Sequence, residues 1–356
     1  MSRRYAILAP NRFFDADAKT AHGVIRYGSD EVVAVIDPSH AGRRIRDVVS
    51  YLDSDAPIVA NLAQALEFSP TALLIGTAPK GGGLPPEWRS AVLDAIGARL
   101  EIVSGLHEML AEDREFHVAA RAAGTTIWDV RVPPEVPLFS GDVYGVKAPV
   151  LLTVGNDCAV GKMSVALELV RAANESGTRA RFVPTGQTGI LIAGWGISVD
   201  RVVADFAAGA AEQLVLYAAH EGADLIAVEG QGAINHPAYA AVTLALMTGC
   251  APDALVLVCD PRRTNIESYP TPTLQYRELI DIHQSLLKTL KPADVVGIAL
   301  NTRGLTEAQA LAEIARARDA TGLPADDVVR FGPQGFYAEI APRLVKRPPL
   351  TTASHA

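Results

Sequence analysis

The residues best suited to chemistry form one run, Gly155-Asn156-Asp157-Cys158-Ala159-Val160-Gly161-Lys162, spaced as G-x-x-x-x-G-K. Glycines at these places let backbone amides curl round an anion. The amino end of a following helix adds partial positive charge, and Lys162 supplies a mobile cation. An apolar stretch at 150–154 precedes the run and a helical pattern follows it, the context in which this spacing denotes a phosphate loop. A glycine-rich turn without a ligand is the alternative.

The next position departs from the usual pattern. Met163 stands where a Ser or Thr hydroxyl ordinarily coordinates Mg2+, and Ser164 follows it. A thioether is a poor ligand for a hard cation. Either Ser164 or Asp157 then supplies the missing oxygen, with Mg2+ bound, or the loop holds a pyrophosphate without acting on it, and coenzyme A carries such a group. Cys158, inside the loop and near a helix amino terminus, has the surroundings of a nucleophilic thiol and is a candidate acyl carrier, though a small residue is also what packing there requires. Cys250 and Cys259 read as core residues.

Other reactive groups fall at the ends of apolar runs. The stretch 225–228 delivers Glu229, beside Gly230 and Gly232, as a Mg2+ ligand, a general base or a solvent-facing acid. His236, in Asn235-His236-Pro237, adds an imidazole over the same crevice or a simple cap. The run ending at Cys259 delivers Asp260, Arg262 and Arg263; arginine forks match carboxylates, so an anionic substrate group is the natural guest and surface ion pairing the alternative. Asn301 ends the last long apolar run, where a nucleotide base or sugar is often read. In the amino-terminal half, Lys80 lies in Gly76-Thr77-Ala78-Pro79-Lys80-Gly81-Gly82-Gly83, an anion-binding nest or a flexible turn. Lys19, Thr20, Arg26 and Tyr27 form a further polar cluster, and Gly105-Leu106-His107 is expected to open a helix. No G-x-G-x-x-G follows the first apolar run, which disfavours a dinucleotide redox cofactor.

The elements that position these groups alternate as in βαβ units: short runs rich in β-branched residues, then helix-length segments. Strands are predicted at 5–10, 32–37, 72–77, 100–104 and 126–131, and again at 150–154, 181–184, 225–228, 254–259, 295–300 and 328–331. Helices are predicted at 86–96, 106–123, 162–176, 202–220, 276–290 and 306–320. The segment 132–149 carries Pro133, Pro134, Pro137 and Pro149, which break either period. The expected fold class is therefore α/β, with two doubly wound, mostly parallel sheets: a Rossmann-like domain over 1–140 and a P-loop domain over 141–356. No repeat or low-complexity tract is present, and the tail 348–356 is expected to fray.

The 356 residues suffice for two such cores. Charge is 32 Lys and Arg against 40 Asp and Glu, a net −8, and no basic run exceeds the Arg3-Arg4 and Arg43-Arg44 pairs, which argues against nucleic-acid binding. Three scattered cysteines make neither a disulfide framework nor a metal site. With no signal-like start, no lipidation signal and no stretch near ~18 apolar residues, a cytoplasmic protein without membrane contact is expected.

Six blocks together carry a resemblance: 19–37 (KTAHGVIRYGSDEVVAVID), 75–88 (IGTAPKGGGLPPEW), 104–107 (SGLH), 155–162 (GNDCAVGK), 229–237 (EGQGAINHP) and 260–263 (DPRR). They resemble, over nearly the full chain, a two-domain family long catalogued as of unknown function, with Rossmann-like and P-loop domains, which includes the D-glutamate N-acetyltransferases. The P-loop half is more distantly similar to dethiobiotin synthetase. The resemblance implies transfer of an acetyl group from acetyl-CoA to the amine of an acidic D-amino acid, D-glutamate foremost; a homo-oligomer is the general expectation for a soluble enzyme of this kind. It suggests that 155–162 holds the coenzyme A pyrophosphate, Arg262 and Arg263 grip substrate carboxylates, Glu229 or His236 takes the amine proton, and Lys162 or loop amides meet the oxyanion. An ATP-dependent ligase or kinase, and a noncatalytic nucleotide switch, are the competing readings.

Overall fold

Strands made almost wholly of Val, Ile, Leu and Ala bury both faces, which is the condition for a parallel sheet with helices on each side. The computed structural model, described for residues 2–15, 18–77 and 81–348, contains two such sheets. In the first unit β1 (Arg4–Leu8), β2 (Glu31–Ile36), β3 (Ile58–Val59), β4 (Ala72–Ile75), β5 (Glu101–Ser104) and β6 (Ile127–Asp129) run parallel in the order β3-β2-β1-β4-β5-β6. In the second, β7 (Val150–Gly155), β8 (Ala180–Val183), β9 (Leu225–Val228), β10 (Ala254–Cys259), β11 (Asp294–Leu300) and β12 (Ala325–Asp326) run parallel in the order β12-β11-β10-β7-β9-β8. Chain order reverses on either side of β1 in the first sheet and β7 in the second, and such switch points are where open α/β sheets bind ligands. The α/β fold class expected from the sequence is the one observed.

Differences from the predicted elements have local causes. Residues 328–331 are a turn, not a strand, because Asp327 accepts from the Val329 and Arg330 amides and pulls the chain out of the ladder after β12. The helix expected over 106–123, opened by Gly105-Leu106-His107, forms only at Arg114–Ala123. Asp113 caps it there by accepting from the amides of Glu115 and Phe116. The two-residue β3 and the helices Gln187–Ala193, Ala240–Gly249 and Gln334–Ile340 went unpredicted, being too short or too uniformly apolar to show a period. Among the described residues no helix is long and apolar enough to cross a membrane.

The sequence suggests one cut at 140/141. The compact units are instead residues 1–133 with 187–201, and residues 134–186 with 202–356. Residues 187–201 join the first unit through Ile190 and Leu191, which enter its core, and through a buried Thr20–Thr188 hydroxyl pair at 3.1 Å. The Arg131 guanidinium also holds the segment: Nε donates to Gly105 O at 2.8 Å and Nη1 to Asp200. In the second unit, buried Glu212 performs a similar task, accepting from the amides of Ser140, Gly141 and Val143 and so fixing the start of the unit on the helix Ala204–His220.

Arg131 is 5% exposed, so removing its partner leaves a buried cation unpaired. Asp200→Ala is expected to cost about 3 kcal/mol. Urea denaturation measures the loss, and amide exchange should place the first opening at 187–201.

Candidate functional site

The site is built at the carboxyl edge of the second sheet, from the loops that follow β7, β9, β10 and β11. β7 ends at Gly155, the chain passes through Ala159 (φ 54°) and Gly161 (φ 109°), and the helix Lys162–Glu175 begins. At Gly161 the left-handed backbone favours the residue without a Cβ. Two asparagines brace the loop. Asn156 exchanges hydrogen bonds with the backbone of Asp260 (3.3 and 3.2 Å), and Asn301 Nδ2 donates to Val160 O at 3.1 Å. Both were candidate cofactor ligands in the sequence; here their side chains set the shape of the loop.

Asp157 is wholly buried and fully engaged. Its Oδ1 accepts from the Cys158 amide at 2.7 Å. Its Oδ2 accepts from the Glu267 amide at 2.8 Å and from Arg263 Nη1. Lys162 Nζ donates to the Asp157 carbonyl at 2.7 Å. Burial of this ammonium lowers its pKa to about 8, against the pull of the nearby Cys158 and Asp157.

Glu229, just past β9, is buried, and its Oε2 accepts from the amides of Thr185 (3.0 Å) and Gly186 (3.1 Å) while Thr185 Oγ1 donates to its carbonyl. These bonds tie the carboxylate to the turn after β8. Gly230 is obligatory: a Cβ there would lie 1.6 Å from Thr153 O.

His236 packs between Tyr239 and Tyr269 with ring centroids at 4.6 and 5.3 Å, and burial lowers its pKa although Asp157 opposes the shift. Its Nδ1 accepts from the Ala238 amide at 3.1 Å, so the neutral ring carries its proton on Nε2, which faces Asp157 Oδ1 at 3.9 Å. A nitrogen bearing a proton donates; it neither accepts a proton nor ligates a metal.

The arginines are present at the edge but already partnered. Arg262 Nε and Nη2 donate to Asp260 at 3.0 and 2.7 Å, with the side chain 45% exposed; Arg263 reaches Asp157 and, at 3.4 Å, Glu267. Ser164 lies on the first turn of the helix beyond Met163, and Cys158 is half-buried at the mouth of the loop. Cys250 and Cys259 are core residues, and burial pushes the Cys259 thiol up to about 12. Lys80 falls outside the described residues. Gly82 gives its carbonyl to the amides of His107 and Glu108. In the polar cluster Thr20 is buried, and the Arg26 guanidinium sits 5.2 Å from the centre of the Tyr27 ring. Sequence reasoning missed Thr185, Gly186 and Glu267. The first two follow a predicted strand directly and share that signal, whereas nothing local marks Glu267.

The phosphate-loop fold implies Mg2+, and Asp157 and Glu229 were its candidate ligands. The donor set does not fit. Octahedral Mg2+ requires oxygen lone pairs at about 2.1 Å, but both Asp157 oxygens and Glu229 Oε2 are taken by protein donors. Asp157, Cys158 and His236 place one potential ligand atom each within 4.8 Å of one another, and there the imidazole presents its N–H.

Fold and site together define a two-unit α/β protein with a phosphate-binding loop at the switch point of its second sheet. Residues 38–133 match the Rossmann-like amino-terminal domain, and 137–337 the P-loop carboxyl-terminal domain, of a family described as a domain of unknown function, DUF1611. The chain belongs to this family. It is 38% identical over 276 residues (76% of this chain, 81% of the relative) to a D-glutamate N-acetyltransferase of Tritonibacter scottomollicae. It is 35% identical over 286 residues (79% and 84%) to one from a Pseudoalteromonas species. A crystal structure of a DUF1611 protein from Anabaena variabilis superposes with a TM-score of 0.91 at 38% identity, covering 96% of this chain and all of that one.

A pyrophosphate held at this loop would draw on the Lys162 ammonium. Affinity for pyrophosphate, measured by calorimetry between about pH 7 and 9, should therefore fall as pH rises through about 8. The fall should reach up to tenfold per pH unit, and Lys162→Met should bind weakly with a flat profile.

Proposed function

We propose that this protein transfers an acetyl group from acetyl-CoA to the amine of an acidic D-amino acid, D-glutamate foremost. The loop 155–162 then holds the coenzyme A pyrophosphate. The observation that carries the reading is a phosphate loop with its lysine and helix in place but a thioether at Met163 where the metal hydroxyl belongs, in a chain 35–38% identical to proteins named D-glutamate N-acetyltransferases. Such a loop suits a diphosphate that is gripped and left intact.

The ligand's own dimensions divide the labour. From the inner phosphorus to the sulfur, an extended pantetheine arm spans thirteen bonds, about 15 Å at the advance of an extended chain. Lys162, Asp157 and Cys158, which form the loop, and His236 beside them then serve the phosphates, and the thioester lies well away. The sequence reading had assigned pyrophosphate binding and acyl chemistry to one place; with an extended arm the two separate, and Cys158 is no acyl carrier. The amine must still lose a proton and the tetrahedral oxyanion still needs donors, both near the far end of the arm.

Free-thiol release from acetyl-CoA with a panel of D- and L-amino acids, run beside an ADP-release assay with ATP, tests the activity. Thiol release confined to D-glutamate and close relatives is the expected result; ADP release without thiol release would instead establish an ATP-dependent ligase or kinase. For Glu229→Gln the change should fall on KM with kcat within about threefold. A roughly hundredfold loss of kcat at unchanged KM would bring the acyl carbon to the loop and overturn the pyrophosphate assignment.

A further inference from the structure

Resting on that reading, we propose that Arg263 is the resident cation of the phosphate site. It occupies the electrostatic place that a divalent metal holds in metal-dependent phosphate loops, so the loop selects a diphosphate ester as the free anion over a metal–nucleotide complex.

Three observations converge on Arg263. First, the loop carboxylate that could hold a metal is Asp157, and its Oδ2 already takes the Arg263 guanidinium and the Glu267 amide while its Oδ1 takes the Cys158 amide. A metal ion would have to displace a half-buried cation from a carboxylate with no exposure to water. Second, the position that normally adds a hydroxyl to the metal is Met163, a soft ligand of no use to Mg2+. Third, Arg263 is anchored through one edge only. Nη1 serves both Asp157 and Glu267, and among the described residues no hydrogen bond uses Nη2 or Nε; Nε lies 3.9 Å from Asp260. A guanidinium fixed at one nitrogen keeps a planar pair of donors, the fork that binds phosphate oxygens in bidentate fashion. Arg262 differs: its Nε and Nη2 are already clamped on Asp260.

The electrostatics agree. Lys162 and Arg263 are the two cations tied to Asp157, one through its carbonyl and one through its carboxylate. With Arg263 neutralising that carboxylate, Lys162 and the helix amino terminus face an incoming diphosphate without net repulsion from Asp157. A metal–nucleotide complex brings a further dication to a place that already holds a guanidinium, and like charges there disfavour it.

The test is calorimetric binding of coenzyme A and of inorganic pyrophosphate to the full-length protein, in EDTA and in millimolar Mg2+. Wild type is expected to bind coenzyme A with the same affinity, within about twofold, in either buffer, and inorganic pyrophosphate, which Mg2+ chelates in solution, no more tightly in Mg2+ than in EDTA. Arg263→Met should lose roughly tenfold to hundredfold in EDTA, the worth of charge-assisted hydrogen bonds, and regain part of it in Mg2+ because Asp157 is then open to the metal. Arg263→Lys keeps the charge without the fork and should lose less; it also serves if Arg263→Met does not fold, which circular dichroism and melting will show. Wild-type binding that tightens more than about tenfold on adding Mg2+, or an Arg263→Met protein that binds as wild type does in EDTA, would overturn the proposal. Metal-free pyrophosphate binding that depends on Arg263, without affinity for coenzyme A, would uphold the cation's role and remove the acetyl-transfer reading instead.

Discussion

A carboxylate cut off from water organises the second unit's working edge. Asp157 gathers the amides of Cys158 and Glu267, the Arg263 guanidinium and, through its carbonyl, the Lys162 ammonium. Buried ion pairs of this kind contribute little net stability against apolar packing. What they do supply is a single arrangement, in which each member is oriented by the others. The asparagine braces at 156 and 301 extend that network to the loops after β10 and β11, so the phosphate loop is held from both.

The first unit shows the same economy turned to a different end. Its sheet has the strand order of a dinucleotide-binding fold, and Asp37 stands at the end of β2, where such folds place the acid that holds a ribose. Here Asp37 is buried and accepts from the Asn11 amide, the Ser39 amide and hydroxyl, and His40 Nδ1. The carboxylate ties the loop after β1 to the turn after β2. Together with the absence of a G-x-G-x-x-G, this makes the first unit a Rossmann topology whose usual recognition acid has a structural duty.

What could be read from the sequence follows from where the physics is local. The phosphate loop was legible because left-handed and closely packed backbone demands glycine at fixed positions, as at Gly161. Strand ends were legible because both-face burial forces continuous apolar runs, as in β7 and β10. Partnerships were not. Arg263 meets Asp157 across 106 residues, and Glu229 meets the Thr185 amide across 44, with no periodic signature for either. The β-branched pair Val328-Val329 suggested a strand, and one carboxylate, Asp327, outweighed that propensity by capping a turn. The protonated nitrogen of His236 was likewise invisible until the Ala238 amide was placed against Nδ1.

The route of the chain through 187–201 bears on how such a protein is inherited. Neither unit is contiguous: the second leaves off at Gly186 and resumes at Val202, and the first is complete only when the intervening fifteen residues are added to 1–133. A recombination event with a single crossover at the proline-rich joint would therefore yield one half short of a helix. The other half would carry that helix as a passenger, with Ile190 and Leu191 deprived of their core. The stretch 137–337 that the family shares as its second domain contains this passenger within it. A lineage that shuffled the phosphate-loop half alone would have to lose the helix or find it a new apolar host, a topological reason for the two halves to travel together.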